Sequence, residues 1–441
     1  MLLFVYNRPL SGASDRGAFE IEIGTENGAL FLYSGFNLYC SLLGSGLNRH
    51  LLPVAAVFLP WLRWAVLCVA VSPLLSYLFV IFTAHNFFRR HNSGSADFTP
   101  AASLLKPAGG LELEAYENFA SFCRQDYPEY EVLFAVTSEE DPCVPVIRRL
   151  MADFPQVPIR LLVTPEKIGS NDKINKVCGL ARTAQHDFLV LSDADIRVGP
   201  GYLRSVIGPF RNAKVSVVTS LFTGLPLRSL WPELEAIYLS TDFMAAVLMA
   251  RRVEGMSFAL GATIAVRRDC LKELGGFEAF ADDAADDYEI GHRAAARGHQ
   301  VELVDATVKT WCSHQTLSGF FFQRLRWAIM ARQARPMGYL GYAFTQGLPW
   351  TILAALVAPT RLLACAYVAA YLILRMGVVS MLGIRGLQDT LLKRRWWLVP
   401  LWDVFAFVLW ASSLFSSRVR WRGSIYRVSG GRLIPEHDPE A

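Results

Sequence analysis

The chain has 441 residues, of which 53% are hydrophobic and 19% charged, and its mean hydropathy is +0.29. An average soluble domain is about 25% charged, so this composition excludes a wholly soluble protein. The 12% of aromatic residues excludes a disordered chain, the eight scattered cysteines without a C-x-x-C motif exclude a small disulfide-built module, and a net charge of +4 is too small to indicate nucleic-acid binding.

The first membrane signal comes after residue 50. Residues 1–50 show neither a membrane signal nor clear periodicity, so we assign them no role, and residues 51–95 are predicted to be an N-terminal transmembrane region. Within it, Trp64–Ala84 carries no charge and would span about 31 Å as a helix, which is enough to cross a bilayer. Arg89 and Arg90 follow, so the positive-inside rule predicts that the next domain is cytoplasmic.

Residues 96–315 are predicted to form one soluble α/β domain. Short apolar runs with the length and composition of strands occur at 102–106, 131–137, 159–164, 187–193 and 215–220. Helical patterns separate them, at 112–125, 143–153, 173–184 and 200–211. Strands that alternate with helices predict a mainly parallel sheet, and the ligands of such sheets bind beyond the carboxyl ends of the strands.

Polar motifs follow two of these strands. Asp141 comes just after the second strand, and Asp193 and Asp195 form a D-x-D after the most apolar one. A bare D-x-D is more often a solvated turn, but this position favours a site for Mg²⁺ or Mn²⁺, which prefer carboxylate and phosphate oxygens. Between them, Lys173 and Lys176 flank the start of a helix, where they are either a diphosphate cradle or a surface charge run.

Carboxylates crowd the segment 280–298 near the end of this domain. Like charges so close together repel, and they raise one another's pKa towards the range of a general base. The alternative is that they cap and start the helix that ends at Gly298, and we expect both roles for different members of the set. The set consists of Asp282, Asp283, Asp286, Asp287 and Glu289.

Residues 316–336 predict a basic, aromatic, amphipathic helix at the membrane interface. It either anchors the protein to the membrane surface or also turns Arg326 and Trp327 towards a phosphate and an acceptor. A C-terminal transmembrane region, 337–417, and a basic tail, 418–441, follow. The C-terminal region contains three apolar runs, and if each crossed the membrane, the basic tail would lie on the side opposite the cytoplasm. Either 396–417 is therefore a re-entrant or in-plane hairpin around Asp403, or the tail breaks the positive-inside rule.

Taken together, the ordered motifs resemble the ceramide glucosyltransferase family, glycosyltransferase family 21, including its bacterial hopanoid-associated members. The resemblance covers about residues 99–428 and implies a GT-A fold, a Rossmann-like, mainly parallel nucleotide-diphospho-sugar transferase sheet, plus transmembrane helices. The motifs that carry it are LLKP (104–107), KIGSNDKINK (167–176), SDADIRV (192–198), ALGATIAVRRDCL (259–271), GGFEAFADDAADDY (275–288), QRLRW (323–327) and VRWRGSIYRV (419–428).

The resemblance also implies roles for single residues. Asp287 would be the catalytic base, and Asp193 and Asp195 would be catalytic by holding a divalent cation, Mg²⁺ or Mn²⁺, on the donor. The nucleotide-sugar would contact Asp141, Lys173, Asn175 and Asp193. Beside the diphosphate and the acceptor would lie the Q-x-x-R-W residues Gln323, Arg326 and Trp327.

The activity implied is inverting transfer of a sugar, glucose in first place, from a UDP-sugar to a lipid hydroxyl at a bacterial inner membrane. Ceramide is the favoured acceptor, and a hopanoid with UDP-N-acetylglucosamine as donor is the alternative. A processive polysaccharide synthase is a further alternative because it shares the D-x-D and Q-x-x-R-W motifs. Three positions depart from the animal members: KPAGG (106–110) lacks their second lysine, Asp172 stands where they have proline, and Asp195 stands where they have glycine. The fuller D-x-D that Asp195 makes is closer to bacterial members and leaves the lipid open.

Overall fold

The structure is a computed structural model that describes residues 60–89, 98–421, 424–429 and 432–436. The segment 1–50, for which we predicted no role, lies outside the described residues, as do parts of the predicted regions 51–95 and 418–441. The chain divides into two compact units, Met1–Cys68 and Val69–Ala441. The fold described below is that of the second unit, apart from residues 60–68 of the helical segment Pro60–Arg89, which belong to the first.

An eight-stranded sheet is the centre of this unit. Its strand order is β3-β2-β1-β4-β7-β6-β8-β5. The strands are β1 Ala102–Pro107, β2 Tyr130–Val136, β3 Ile159–Val163, β4 Phe188–Leu191, β5 Ile196–Arg197, β6 Val215–Pro226, β7 Ile264–Arg267 and β8 Gln300–Cys312. Strands β1 and β4 are buried along nearly their whole length, as expected of apolar strands covered on both faces.

The predicted mainly parallel α/β sheet is confirmed. Strands β1 to β4 pair in parallel, as do β6 and β8, whereas β7 runs antiparallel between β4 and β6. The carboxyl ends of β1, β2 and β4 therefore share one edge of the sheet, which β7 enters from its amino end. The helices around the sheet are Ala115–Cys123, Val144–Asp153, Asp172–Thr183, Tyr202–Ile207, Leu230–Tyr238, Met244–Glu254, Arg268–Glu273 and Asp286–Ala296.

A π-helical turn, Leu239–Phe243, joins two of these helices into one helical stretch, which we call the platform helix (residues 230–254). It follows β6 directly and leads towards β7. Its carboxylates and the Ser240 hydroxyl contact elements that follow the domain in sequence. Short 3₁₀ turns, Gly208–Arg211 and Phe277–Phe280, complete the domain.

Two further helical groups flank the domain in sequence. Pro60–Arg89, Arg361–Gly386 and Thr390–Leu414 are each long and apolar enough to cross a membrane, and the pair Pro336–Thr345 and Gly347–Val357 passes the same test with a 50° bend. The helix Leu317–Ala334 precedes the C-terminal group and carries the Q-x-x-R-W motif, so we call it the QxxRW helix. Within the long segments the regular α-helices are Ser72–Arg89, Pro336–Gly341, Gly347–Val357, Arg361–Val378, Thr390–Arg395 and Val399–Leu414.

Of the two alternatives given above for 396–417 and the tail, the structure does not show the hairpin around Asp403. Helix Val399–Leu414 runs through this residue without reversing. A helix tolerates the charge there because the carboxylate is buried against partners: Arg375 lies 2.6 Å from Oδ1, and the Tyr371 hydroxyl donates to Oδ2 at 2.6 Å. The bend in the C-terminal region lies instead at Gln346, between Pro336–Thr345 and Gly347–Val357.

The tail forms a small antiparallel sheet. Its strands, β9 Arg418–Trp421, β10 Ser424–Ser429 and β11 Arg432–Glu436, pair in the order β11-β10-β9. Val419 is buried with Ile329 of the QxxRW helix and with Ala284. The tail sheet therefore packs on the QxxRW helix and on the loop that leads to Asp287.

Candidate active site

Three charged side chains from distant parts of the chain meet at the carboxyl edge of the sheet. Asp193 follows β4, Lys173 lies in the first turn of helix Asp172–Thr183, and Asp286 starts helix Asp286–Ala296. The Lys173 ammonium lies 3.3 Å from Asp193 Oδ1 and 2.8 Å from Asp286 Oδ2. Burial opposes its charge, but Asp193, Asp286 and Asp287 outweigh this and hold the pKa of Lys173 above its usual value.

Asp287 lies next to this group. Its Oδ2 accepts a hydrogen bond from the Gly261 amide at 2.7 Å, and its Oδ1 accepts one from the Tyr288 amide at 2.8 Å. A Cβ on Gly261 would lie 3.1 Å from Asp287 Oδ2 and 3.5 Å from Asp193 Oδ2, so both carboxylates face the same glycine. Burial and the neighbouring Asp286 raise the pKa of Asp287 to about 6, although Lys173 opposes the shift.

The second carboxylate of the D-x-D, Asp195, is held in place by strand β8. Its Oδ2 accepts a hydrogen bond from the Thr310 hydroxyl at 2.6 Å, because β5 pairs with β8 at this point. Burial, and then the charge of Asp193, raises the pKa of Asp195 to about 6.

Lys106 is a residue of the site to which our sequence reasoning gave no role. It is fully buried at the end of β1, where its ammonium donates to the Asp193 carbonyl and lies 3.9 Å from the centre of the Phe122 ring. Burial lowers the pKa of Lys106 to about 7, against the opposing charges of Asp193 and Asp195. The sequence feature that could have indicated a role for Lys106 is the presence of a lysine in a mainly apolar strand, within the LLKP motif.

Asp141 lies at the neighbouring strand end. Its carboxylate accepts hydrogen bonds from the Gly110 amide at 3.0 Å and from the Cys143 amide at 3.0 Å. Burial would raise its pKa, but these hydrogen bonds and the charge of Lys176 lower it below the usual value. Lys176 itself is buried and donates to the Ala108 carbonyl at 2.9 Å. The predicted nucleotide residue Asp141 therefore stays ionised beside the KPAGG loop.

Asn175 holds a loop together. Its Oδ1 accepts from the Ile168 and Gly169 amides at 3.1 and 2.9 Å, and its Nδ2 donates to the Gly169 carbonyl at 3.0 Å. A Cβ on Gly169 would lie 2.5 Å from the Ala281 carbonyl oxygen, so this loop packs tightly on the acidic segment. A nucleotide contact by Asn175 stays a prediction.

The QxxRW helix is attached to the domain by a residue that the motif does not specify. Arg324 is buried, pairs with Glu235 of the platform helix at 2.8 Å, and lies 4.3 Å above the Trp327 ring. Trp327 also contacts Phe243 edge-on, at 5.8 Å between ring centres. Gln323 and Arg326 lie on the same helix, and their contacts with donor or acceptor stay predictions.

The edge of the sheet therefore brings together the two carboxylates of the D-x-D, a lysine and the half-buried carboxylate of Asp287. Such a set can neutralise a diphosphate and accept a proton. Within the described residues, no group of three or more His, Cys, Asp or Glu side chains is arranged as metal ligands. Any ion here would take the rest of its ligands from substrate and water, as Mg²⁺ commonly does with phosphates.

Comparisons with known proteins point to one family. The family model described as "Glycosyl transferase family 21" matches residues 65–434. Ceramide glucosyltransferase 3 of Caenorhabditis elegans is 24% identical over 375 residues, which are 82% of this chain and 80% of that protein. Ceramide glucosyltransferase 1 of the same organism is 26% identical over 262 residues, or 59% of this chain and 56% of that protein.

Among solved structures, the mannosyltransferase PcManGT from Pyrobaculum calidifontis, in complex with GDP-Man and Mn²⁺, is similar to this chain with a TM-score of 0.49. The sequence identity is 16%, and the match covers 80% of this chain and 99% of that one.

Proposed function

Because the chain belongs to glycosyl transferase family 21, we propose that this glycosyltransferase moves a sugar, glucose in first place, from a UDP-sugar to the hydroxyl group of a lipid. The observation that carries the proposal is the meeting of Lys173, Asp193 and Asp287 at one edge of the sheet. Ceramide is the proposed acceptor, because the relatives above are named ceramide glucosyltransferases.

The donor diphosphate is proposed to bind between the D-x-D and helix Asp172–Thr183. Asp193 and Asp195 fit a Mg²⁺ or Mn²⁺ ion because both supply the carboxylate oxygens that these ions prefer, and the Asp193 carboxylate already lies against a positive charge, the Lys173 ammonium. When bound, such an ion would neutralise charge on the departing diphosphate. Lys173 adds a second positive charge, and Asp141 is the proposed contact for the nucleotide together with Asn175.

Asp287 is the proposed general base of a single, inverting displacement. Its carboxylate takes the proton of the acceptor hydroxyl as the hydroxyl oxygen attacks the anomeric carbon. The bond between that carbon and the diphosphate oxygen breaks, and UDP leaves with the electron pair. A pKa of about 6 suits this step, because the carboxylate is ionised at neutral pH yet basic enough to accept a proton.

The apolar helices are proposed to hold this site at a membrane surface, with Gln323, Arg326 and Trp327 on the side of the acceptor. The proposed regions are a transmembrane segment within 51–95, a catalytic domain over 96–315, an interfacial helix within 316–336, transmembrane helices within 337–417 and a tail from 418. Arg89 closes the first candidate span, which supports a cytoplasmic domain, and we propose a bacterial inner membrane.

Full-length protein in sealed vesicles, given labelled UDP-glucose or UDP-N-acetylglucosamine with ceramide or a hopanoid polyol, tests the proposal. We expect glucosylceramide, and Asp287→Asn should lower its formation by about 10²-fold or more while the protein stays folded. Asp187→Asn is the matched control, since that side chain is 87% exposed. A polymeric product, or full turnover by Asp287→Asn, would contradict the assignment, and transfer to the hopanoid alone would correct the acceptor.

A further inference from the structure

We propose that the last long helix, Thr390–Leu414, does not cross the membrane but lies along the membrane surface that faces the catalytic domain. We call it the C-terminal helix. Its length and apolar composition suit a crossing. A helix that crosses must carry its two ends to opposite sides, however, and both ends of this one are attached to the domain. The inference does not depend on the reaction that the protein catalyses.

The first end is attached to the platform helix. The Ser240 hydroxyl donates to Asp389, whose Oδ1 accepts from the Leu391 amide at 2.7 Å and so caps the C-terminal helix. One turn later, Arg395 pairs with Glu233 at 3.3 Å. Ser240 and Glu233 both belong to the platform helix, which follows β6 of the central sheet.

The second end is attached to the QxxRW helix. The Arg332 guanidinium donates to the Leu414 carbonyl at 2.9 Å and to the Ser416 carbonyl at 2.6 Å. The QxxRW helix is itself fixed to the platform helix at two points, in its middle through Arg324 with Glu235 and directly after its last residue through Arg335 with Glu254. The end of the C-terminal helix therefore lies on the same side as its beginning.

Contacts between the two ends agree with this path. Phe320 of the QxxRW helix packs edge-on against Trp402 and Phe405, at 6.4 and 5.9 Å between ring centres. Twelve residues further along the QxxRW helix, Arg332 meets Leu414, which lies twelve residues after Trp402. The two helices therefore run side by side in the same direction over about 18 Å, along the domain rather than away from it.

The outer face of the C-terminal helix is a continuous apolar stripe. Trp397, Leu401, Val404 and Val408 recur at helical spacing and are 55%, 38%, 49% and 44% exposed. A stripe of this kind is stable in the boundary between headgroups and acyl chains. The partner that fits this surface is the domain-facing leaflet of the bilayer.

The same arrangement accounts for the basic tail. If Pro60–Arg89, the bent pair 336–357 and Arg361–Gly386 are the crossings, residues 387–441 stay on the side of the catalytic domain. The basic groups after the last crossing, in 393–395 and from Arg418 onward, then all lie on one side, as the positive-inside rule expects. The burial of Val419 against Ala284 requires the tail and the domain to share a side.

Depth measurements on spin labels test the proposal in full-length protein reconstituted into vesicles. Labels at Trp397→Cys and Val408→Cys are eleven residues apart, about 16 Å along a helix. The control pair, Leu362→Cys and Ile373→Cys, has the same spacing in Arg361–Gly386, with exposures of 81% and 69%. Exposed Cys68 and Cys365, and also Cys40, are replaced by serine in the background, since the five remaining cysteines are buried.

We expect the first pair to report depths within about 3 Å of each other and the control pair to differ by more than about 10 Å, as follows from a rise of 1.5 Å per residue. An epitope placed after Ala441 should be accessible from the same side as the catalytic domain. Equal depth differences in the two pairs, or an epitope on the opposite side from the domain, would overturn the proposal. Thermal unfolding of each variant shows whether the label has left the fold intact.

Discussion

At the residue scale, the carboxylate of Asp287 is held by two backbone amides while a lysine and a second carboxylate act on it in opposite directions. The amides of Gly261 and Tyr288 fix its orientation, and burial, followed by the charge of Asp286, raises its pKa to about 6. Lys173 limits that rise because its ammonium favours the ionised form. The proposed base is thus oriented without depending on a mobile partner.

The pH dependence of the reaction follows from this raised pKa. Below about pH 6 the Asp287 carboxyl binds a proton and can no longer accept one, so kcat/KM should fall about tenfold per pH unit on the acid side and level off above. Initial rates with saturating donor and divalent cation measure this dependence. Under these conditions Asp195 is already ionised, so its own titration does not contribute to the profile. The residual activity of Asp287→Asn should lack the inflection, and an inflection that persists would assign the titration to another group.

Gly261 offers a second prediction at this scale. Gly261→Ala places a methyl group 3.1 Å from Asp287 Oδ2, so the carboxylate has to move by a few tenths of an ångström. We expect kcat to fall by about tenfold or more, because a small displacement of a general base, the role proposed for Asp287, is costly. The control is Gly199→Ala, where a Cβ meets nothing within 4 Å. Equal activity of both variants would show that the position of Asp287 is not critical.

At the scale of single elements, the QxxRW helix depends on the buried pair of Arg324 and Glu235, whose side chains are 3% and 7% exposed. Glu235→Gln leaves the Arg324 charge buried without its partner, which should cost about 3–5 kcal/mol of stability. We also expect weaker turnover, because Arg324 lies on the Trp327 ring. Thermal unfolding and activity assays in detergent measure the two effects.

The matched control for this variant is Glu139→Gln. Its partner is Arg148, and the two side chains are 68% and 63% exposed. An exposed pair contributes about 0–1 kcal/mol, so this change should leave both stability and turnover nearly unaltered. If Glu235→Gln behaves in the same way, the pair does not position the QxxRW helix.

The elements that could be predicted from the sequence are those with local signals. The windows for β1 to β4 agree with the structure to within about two residues, because buried parallel strands are apolar runs bounded by polar turns. Strands β7 and β8 were not predicted, and β6 extends to Pro226 beyond its predicted window because it pairs with β8 across a bulge. Pairing of this kind depends on partners that are distant in sequence.

The candidate site likewise contains features that could be predicted from local sequence and features that depend on contacts between distant segments. The carboxylates at strand ends were visible as motifs, since a strand and the acidic residue that follows it are neighbours in sequence. The contacts of Lys173 with Asp193 and Asp286 join three separate segments, and no local pattern predicts which carboxylate a lysine will reach. The roles of Lys106, Gly261 and Arg324 depend on similar long-range contacts, so they emerge only from the fold.

At the scale of the whole molecule, the platform helix attaches the apolar helices to the α/β domain. Asp242 in its π-helical turn pairs with Arg375 at 2.9 Å and accepts a hydrogen bond from the Trp402 indole. Arg375 is 1% exposed and reaches Asp403 at 2.6 Å as well. One guanidinium thus joins the domain to Arg361–Gly386 and to the C-terminal helix.

Arg375→Met should destabilise this attachment between the domain and the apolar helices. The change leaves two carboxylates buried near each other without their cation, and breaking a buried ion pair costs about 3–5 kcal/mol. The midpoint of thermal unfolding in detergent should therefore fall by several degrees, as expected of a loss of that size. Turnover at low temperature should fall less, since Arg375 lies outside the cluster of Lys173, Asp193 and Asp287.

The triple variant Arg375→Met, Asp242→Asn, Asp403→Asn separates lost charge balance from lost packing. It removes the carboxylates together with their cation, so no buried charge of the network is left without a partner, and apolar or neutral replacements of buried ion pairs are often close to neutral in stability. We expect it to recover most of the unfolding midpoint lost by Arg375→Met. A triple variant no more stable than Arg375→Met would show that this joint depends on the shape of the arginine rather than on its charge.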